Sequence, residues 1–192
     1  NGSDNGYLAR IDKEGNNIWA NQYAPTNSTE SLFNFQIDQS NIIAAFAKSS
    51  GEYSIISYDI NSGMQNWEII DISGQIKDIE ISEGEVFILD WQNSKSRLTR
   101  FDISNGSFKS TQEIDDFYFK VSPGNEGALL VATDNAIYLD RNNLSNSLSS
   151  ISFDSDNIVR SAEFPQLQSS LINGMPVIGS VGKNKYTTYQ EV

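Results

Sequence analysis

Four acidic residues in the middle of the chain are the first candidates for chemistry: Asp90, Glu113, Asp115 and Asp116. Two opposed carboxyl groups can hydrolyse a glycosidic bond, one as the general acid and the other as the base or nucleophile. The alternative is that they are solvated loop acids of an acidic protein, and the sequence favours this alternative. We therefore predict no catalytic residue and no cofactor.

Calcium ligands are a second possibility. Carboxylate and amide oxygens on turns occur in two segments, with Asn1, Ser3, Asp4 and Asn5 in one and Asp154, Asp156 and Asn157 in the other. Neither segment completes the Asp-x-Asp-x-Asp-Gly pattern, with its later glutamate, that builds a calcium loop. The sequence leaves calcium binding open, and we assign no metal site.

The composition excludes several classes of protein. The chain has 192 residues, of which 38% are hydrophobic and 11% aromatic, enough to bury a core. It has no histidine and no cysteine, which removes histidine-based triads, the usual zinc ligands and disulfides. The formal net charge of −12 argues against nucleic-acid or anionic-membrane partners, because both need a basic surface.

A phrase that recurs along the chain indicates how these residues are positioned. It reads YLARIDKEGNNIW over 7–19, YSIISYDINSGMQNW over 53–67 and RLTRFDISNGSFKS over 97–110, with a fainter copy, AIYLDRNNLSNSLS, over 136–149. Each copy is an alternating run closed by aspartate, a short turn and a second run. The anchoring aspartates are 47, 43 and 38 residues apart: Asp12, Asp59, Asp102 and Asp140. This spacing is typical of a repeated supersecondary unit.

Short apolar runs of strand length accompany each copy of the phrase. They cover residues 32–37, 42–46, 76–81, 86–89, 117–121, 129–132 and 177–180. With the two runs of the phrase they make a unit of four strands joined by tight turns. No helical period is sustained, although residues 161–173 are ambiguous.

Meanders of four antiparallel strands, repeated every 40 to 50 residues, predict an all-β fold of the β-propeller type. A single twisted sheet leaves two faces and two edges uncovered, and packing successive sheets around an axis covers the faces. In this arrangement Trp19 and Trp67 are expected to fill the space between neighbouring blades.

The phrase resembles the repeats of bacterial propellers of the pyrroloquinoline-quinone-like superfamily, in which a strand ends in aspartate, turns through glycine and continues to tryptophan. The resemblance implies a single β-propeller domain or propeller segment over 1–192. Its repeats are expected near 1–30, 31–74, 75–116, 117–155 and 156–192.

The ends of the chain allow two interpretations of the ring. The first two strands could complete a blade begun by residues 169–182, which would close a small four-bladed propeller. Alternatively, the chain is a segment of a larger propeller, and the strand expected over 185–192 favours this second interpretation slightly.

The leading functional hypothesis is a non-catalytic interaction module of a secreted or cell-surface protein that binds a protein or a glycan through loops at one face of the ring. The second is a periplasmic scaffold similar to the propeller lipoprotein of outer-membrane barrel assembly. The third is a carboxylate-based hydrolase or lyase acting at the central channel. The absence of cysteine and the acidic composition favour an extracellular location, and the sequons at Asn27, Asn105 and Asn143 permit glycosylation.

Overall fold

The structure is a computed structural model that describes residues 6–23, 30–152, 166–172, 175–181 and 187–191. These residues contain seventeen β-strands and no helix. The first ten strands are β1 (Gly6–Ile11), β2 (Asn17–Tyr23), β3 (Glu30–Ile37), β4 (Asn41–Lys48), β5 (Glu52–Asp59), β6 (Gln65–Ser73), β7 (Gln75–Ser82), β8 (Glu85–Gln92), β9 (Lys95–Asp102) and β10 (Phe108–Ile114). The others are β11 (Lys120–Pro123), β12 (Gly127–Val131), β13 (Asn135–Asp140), β14 (Ser147–Ser152), β15 (Gln166–Ile172), β16 (Met175–Val181) and β17 (Thr187–Glu191). Within the described ranges, no helix is long and apolar enough to span a bilayer.

The strands form five separate antiparallel meanders, which we call blades 1 to 5: β1–β2, β3–β6, β7–β10, β11–β14 and β15–β17. Blades 2, 3 and 4 each have the four strands that the sequence predicted. The first strands of successive blades approach one another, so they lie nearest the axis and the fourth strands lie outermost. The predicted all-β fold, with blades of four antiparallel strands, is confirmed.

One predicted strand is shorter than expected. The whole run 117–121 was predicted to be a strand, but β11 begins only at Lys120, and 117–119 belong to the connection from β10. The reason is that the Tyr118 backbone N–H donates to Ser96 Oγ at 2.7 Å instead of joining a strand ladder. The ambiguous segment 161–173 contains strand β15, and the rest of it lies outside the described residues.

The ring is not closed as a four-bladed propeller. Blade 1 is a separate two-stranded sheet, and blade 5 already has a third strand of its own in β17. The interpretation in which β1 and β2 complete the last blade is therefore wrong. The described strands form a segment of a propeller.

The core consists of layers between neighbouring blades. The second strands β4, β8 and β12 are the most buried, because a blade covers each of their faces. One layer joins blades 2 and 3 and includes Ile43, Ile55, Ile79, Ile88 and Phe101. A second joins blades 3 and 4, and a third joins blades 1 and 2. This is the face-to-face burial that the repeat pattern predicted.

Both repeated tryptophans occupy the gaps between blades, as predicted. Trp67 of blade 2 is 9% exposed, and its indole N–H donates to the Ile103 carbonyl of blade 3 at 2.8 Å. The Trp19 indole makes the same bond to the Ile60 carbonyl at 3.1 Å. Ile60 and Ile103 each directly follow a repeat aspartate, so the main-chain acceptor is itself part of the repeat.

Two turn glycines cover these indoles. A Cβ built on Gly63 would lie 2.6 Å from the Trp19 ring, and one built on Gly106 would lie 2.8 Å from the Trp67 ring. Both glycines have φ near +70°, a conformation in which a side chain is strained. The glycine of each repeat is thus required both by its own turn and by the tryptophan of the preceding blade.

The junction between blades 3 and 4 uses different chemistry, because Ser110 stands where the earlier copies have tryptophan. Arg100, which faces Ser110 across the strand pair, donates to the carbonyl of Arg141, the residue after the fourth repeat aspartate. Arg10 makes the equivalent bond to the Ile60 carbonyl beside Trp19, but at this junction no indole accompanies the arginine. Buried Glu85 accepts from Arg100 at 2.7 Å, from Arg141 at 3.0 Å and from Lys109 at 3.0 Å. Burial alone would raise the pKa of Glu85, but Lys109 and the two arginines outweigh burial and lower it.

The repeat aspartates hold the turns between third and fourth strands. Asp59 Oδ1 accepts the backbone N–H groups of Asn61 and Ser62 at 3.0 and 2.7 Å, and Asp102 Oδ1 accepts the Ser104 N–H at 2.9 Å. These are Asx-type turns, which aspartate favours. Bonds from Ser62 and Ser104 lower the pKa of Asp59 and of Asp102.

We expect the substitution Asp59→Asn to reduce the acid sensitivity of the fold. Because the pKa of Asp59 is lower in the folded state than the ordinary value of 3.8, its carboxylate stabilises the fold above that value. This contribution is lost as the pH falls through the folded pKa. Urea denaturation between about pH 6 and pH 3 should show a smaller loss of stability in the variant than in the wild type. An equal loss in both proteins would contradict the role assigned to the Asp59 charge.

Candidate interaction surface

One end of the blades carries a cluster of exposed aromatic and charged side chains. In an antiparallel meander, the connections between blades and the hairpins between second and third strands emerge at the same end. We call this end the upper face, and among the described residues it comprises 49–51, 74, 93–94, 115–119 and 132–134. The turns that contain the repeat aspartates lie at the opposite end.

The centre of the cluster is Phe117, on the connection from blade 3 to blade 4. Its ring is 39% exposed and packs edge-on against the half-buried Trp91, with ring centroids 4.9 Å apart. The Lys77 ammonium lies 5.2 Å from the centroid of the Phe117 ring, within the range of a cation–π interaction. Lys77, Trp91 and Phe117 form what we call the aromatic cluster.

The backbone on both sides of Phe117 is fixed by hydrogen bonds. Asp116 accepts the Phe117 N–H at 2.8 Å and the Asn135 side-chain amide at 2.7 Å, and its carbonyl accepts the Ser96 N–H at 3.3 Å. On the other side, the Tyr118 N–H donates to Ser96 Oγ. The exposed ring is therefore held in place before any partner arrives, which lowers the entropy cost of binding through it.

Acidic side chains come shortly before Phe117 along the chain. Asp115 pairs with Lys95 at 2.9 Å, and Glu113 lies 3.9 Å from the same ammonium. The ion pair with Asp115 raises the pKa of Lys95. The rim of the upper face thus combines a preorganised aromatic centre with exposed carboxylates.

The four acids considered for catalysis do not share one environment. Glu113, Asp115 and Asp116 are exposed, as the interpretation of solvated acids expects, and each has a cation or amide neighbour. Asp90 differs, since it is 0% exposed, and for this residue the prediction of a solvated acid is wrong. It lies inside β8, a strand that is covered on both faces, and the sequence EVFILDW does not reveal that this acid is buried.

Asp90 belongs to a buried cluster that joins blades 2 and 3. It accepts the Tyr53 hydroxyl at 2.6 Å and two bonds from Arg97, from Nε at 3.1 Å and from Nη2 at 2.8 Å. Arg97 Nη2 also donates to the Ser73 carbonyl at 2.5 Å. Burial raises the pKa of Asp90 despite Arg97, and burial next to Asp90 raises the pKa of Tyr53 well above 10.0. Tyr53, Asp90 and Arg97 are bonded to one another across the two blades, so the cluster is a structural link.

A second group of carboxylates lies on the strands nearest the axis. The hypothesis of a hydrolase or lyase places its catalytic acids there, at the central channel. Lys120 of β11 lies 3.0 Å from Asp78 and 3.0 Å from Glu80, both on β7. Asp78 also accepts the Val121 N–H at 2.9 Å, and burial raises the pKa of Asp78 and of Glu80. The shared ammonium and the main-chain bond make these acids a link between blades 3 and 4.

The calcium candidates 1–5 and 154–157 lie outside the described residues, as does the sequon at Asn27. In the part of the chain that the structure describes, no group of three acidic side chains is arranged to hold a metal ion. Asn105 and Asn143 both lie in turns at the end opposite the upper face. Each side chain accepts a backbone N–H there, from Ser107 and Ser145 respectively.

The aromatic cluster was not predicted from the sequence. Trp91 is outside the repeated tryptophan position, and Phe117 was assigned to a strand. A usable signal was present, because DDFYFK places three aromatic residues directly after two aspartates, a mixture that suits a surface connection better than a buried strand. The contact between Trp91 and Phe117 joins a strand of blade 3 to the connection that leaves this blade, and neither motif alone predicts it.

Comparison with known proteins identifies the fold. No protein-family model and no curated protein sequence matches the chain significantly. Among solved structures, it is similar to the Dos1 propeller, with 11% identity over 98% of this chain and 52% of that one and a TM-score of 0.64. It is also similar to the Pan2 WD40 domain of Neurospora crassa, with 14% identity, a TM-score of 0.60 and coverage of 99% and 58%.

A third similar structure is BamB from Moraxella catarrhalis, with 12% identity, a TM-score of 0.54 and coverage of 98% of this chain and 61% of BamB. The chain thus spans between 52% and 61% of the length of these propellers. At such identities the likeness shows the fold alone. The molecule is a segment of a β-propeller that presents an anchored aromatic cluster on one end.

Proposed function

We propose that this chain is a non-catalytic interaction module that binds a protein partner through the upper face, with the aromatic cluster as the energetic centre of the interface. The observation that carries the proposal is the geometry of Phe117. An exposed aromatic ring, flanked on both sides by hydrogen bonds to blades 3 and 4, has no role in covering the core. It is placed as a contact residue.

The chemistry of the cluster suits a protein interface. Aromatic side chains supply large contact areas at low entropy cost, and they dominate the residues whose truncation weakens protein complexes. Trp91 supports the Phe117 ring from below, and the Lys77 stem extends the apolar surface while its ammonium stays at the ring face.

The acidic rim favours a partner with positive charge. The chain carries a net charge of −12, and Asp115 and Asp116 directly precede Phe117. A partner with lysine or arginine around an apolar pocket is complementary to this arrangement. Such complementarity accelerates association at low salt and loses strength as salt rises.

We expect Phe117→Ala to weaken partner binding by about 2 kcal/mol or more, which is about thirtyfold in affinity. The melting temperature should change little, since the ring is exposed. The matched control is Leu148→Ala, which removes another exposed apolar side chain, on the outer strand β14. Equal effects of the two substitutions would contradict the proposal.

The partner can be trapped in the organism that encodes the chain by placing a photoreactive benzoyl-phenylalanine at position 117. We expect a discrete adduct after irradiation, in lower yield when Trp91 is also replaced by alanine. The same probe at position 148 is expected to give no such adduct. An adduct that forms at 148 but not at 117 would place the interface elsewhere.

For the location, we propose the cell surface or the extracellular space, with the periplasm as the alternative. The support is compositional: an acidic, cysteine-free chain with sequons on exposed turns. The alternative draws on the likeness to BamB, which concerns the fold. Labelling of intact cells by an impermeant amine reagent distinguishes the two, because only a surface protein reacts before the outer envelope is opened.

A further inference from the structure

A groove runs along the circumference of the propeller between blades 2 and 3, away from the upper-face cluster. Its volume is about 430 Å³, within the range of small-molecule sites. One residue of β6, two of β9 and three of β10 contribute most of its wall: Ile72, Arg97, Thr99, Phe108, Thr111 and Gln112.

The groove exists because blade 2 lacks a side chain that closes the same space at the preceding junction. There, Tyr23, four residues after Trp19, packs against Phe46 with ring centroids 4.5 Å apart and donates its hydroxyl to Glu68 at 2.8 Å. The corresponding residue of blade 2 is Ile72, which faces Tyr53 as Tyr23 faces Gly6. Its smaller side chain lines the groove. Asp71, next to it in a bulge of β6, adopts φ of 56°, and such bulges with strained residues are found beside binding sites.

The charges around the groove are balanced. The Arg97 guanidinium on its floor is neutralised by the buried Asp90. Glu113, at the other end of the wall, lies near Lys95. A ligand with a strong net charge would therefore gain little, and an uncharged polar ligand fits the site better.

The remaining wall combines an aromatic ring with two hydroxyl groups. Phe108 is 62% exposed, and its position is supported by an edge contact with Phe101 at 6.2 Å. Thr99 Oγ1 and Thr111 Oγ1 lie 3.0 Å apart, on residues that face each other across β9 and β10. Hydroxyl groups both donate and accept. A pyranose ring has an apolar C–H face and a rim of hydroxyls that match these two surfaces.

The position of the groove on a sheet face argues against a peptide strand as the occupant. The main chain of β9 is already paired with β8 and β10, so an extended peptide lying across it would find no free ladder groups there. Recognition must come from side chains. From Phe108 to Gln112 the wall extends four strand steps, about 13 Å, which suits a short oligosaccharide.

We propose that this groove binds a neutral oligosaccharide, with Phe108 as the stacking platform and Thr99 and Thr111 as hydrogen-bonding groups. The site is independent of the aromatic cluster on the upper face. The chain would accordingly carry two binding surfaces, one for a protein and one for a glycan.

The test is calorimetric titration of the chain with neutral tri- to hexasaccharides of the cello-, manno-, xylo- and chito- series. We expect at least one series to bind with a Kd of about 1 mM or tighter. Phe108→Ala should weaken binding about tenfold or more, and Thr111→Val should weaken it without affecting the fold. Phe117→Ala is the matched control and should leave oligosaccharide binding unchanged, so the two proposals fail or succeed separately.

Two results would overturn the proposal. One is the absence of binding by every series at concentrations of about 5 mM, well above the expected Kd. The other is binding that neither Phe108→Ala nor Thr111→Val weakens, which would place the sugar elsewhere. Because Thr111→Val keeps the shape of the side chain, it decides the matter even if the Phe108 variant is less stable.

Discussion

Replacing Trp67 with alanine is expected to lower the free energy of unfolding by about 3–5 kcal/mol. The indole is 9% exposed and belongs to the layer between blades 2 and 3, so its removal leaves a cavity that two rigid sheets cannot close. The substitution also leaves the Ile103 carbonyl without the indole N–H. Urea denaturation followed by circular dichroism measures the loss.

Two further variants separate packing from hydrogen bonding at this site. Trp67→Phe keeps most of the apolar contact but not the N–H, and we expect a loss of about 1–3 kcal/mol from the unpaired buried acceptor. Trp19→Ala should cost less than Trp67→Ala, because Trp19 is only partly buried. An unchanged melting temperature in Trp67→Ala would remove the packing role of the repeat tryptophan.

Replacing Asp90 with alanine is expected to cost about 3–5 kcal/mol, because it leaves the partners of a buried ion pair uncompensated. Arg97 would lose its carboxylate, and the buried Tyr53 hydroxyl would lose its acceptor. The raised pKa of Asp90 is consistent with this expectation. It means that burial of the charge is costly by itself, while breaking the pair adds the cost of a stranded cation.

The control for Asp90 is asparagine, which keeps the shape and an acceptor for Tyr53 but removes the negative charge. We expect Asp90→Asn to be less destabilising than Asp90→Ala, and Tyr53→Phe to be milder than either. Equal losses for alanine and asparagine would show that charge alone matters. A loss of less than about 1 kcal/mol in Asp90→Ala, the scale of an exposed ion pair, would contradict the structural role of the cluster.

Much of the architecture could be predicted because the repeat carries its own packing partners. Trp67 in one copy and Gly106 in the next meet across the blade gap, so their recurrence in the sequence reports a contact in space. Strand alternation and turn residues are local properties of the sequence, so they predict the blades without knowledge of the tertiary structure.

The packing between blades 3 and 4 could not be predicted from the repeat. The loss of tryptophan at Ser110 was visible in the sequence, but the cluster of Arg100, Arg141 and buried Glu85 at this junction was not. Those residues lie on two strands of blade 3 and in a turn of blade 4, and no spacing along the chain relates them. The aromatic cluster and the groove likewise bring together side chains that are distant in sequence.

By itself, the sequence determined that the chain builds four-stranded antiparallel sheets with tryptophans between them, because strand alternation, turns and the repeat period are encoded locally. Only the tertiary structure decided which acids are buried, that Phe117 is exposed, and that a groove remains open between blades 2 and 3. Burial and exposure depend on the approach of distant strands, so surfaces for binding appear only after the blades have packed.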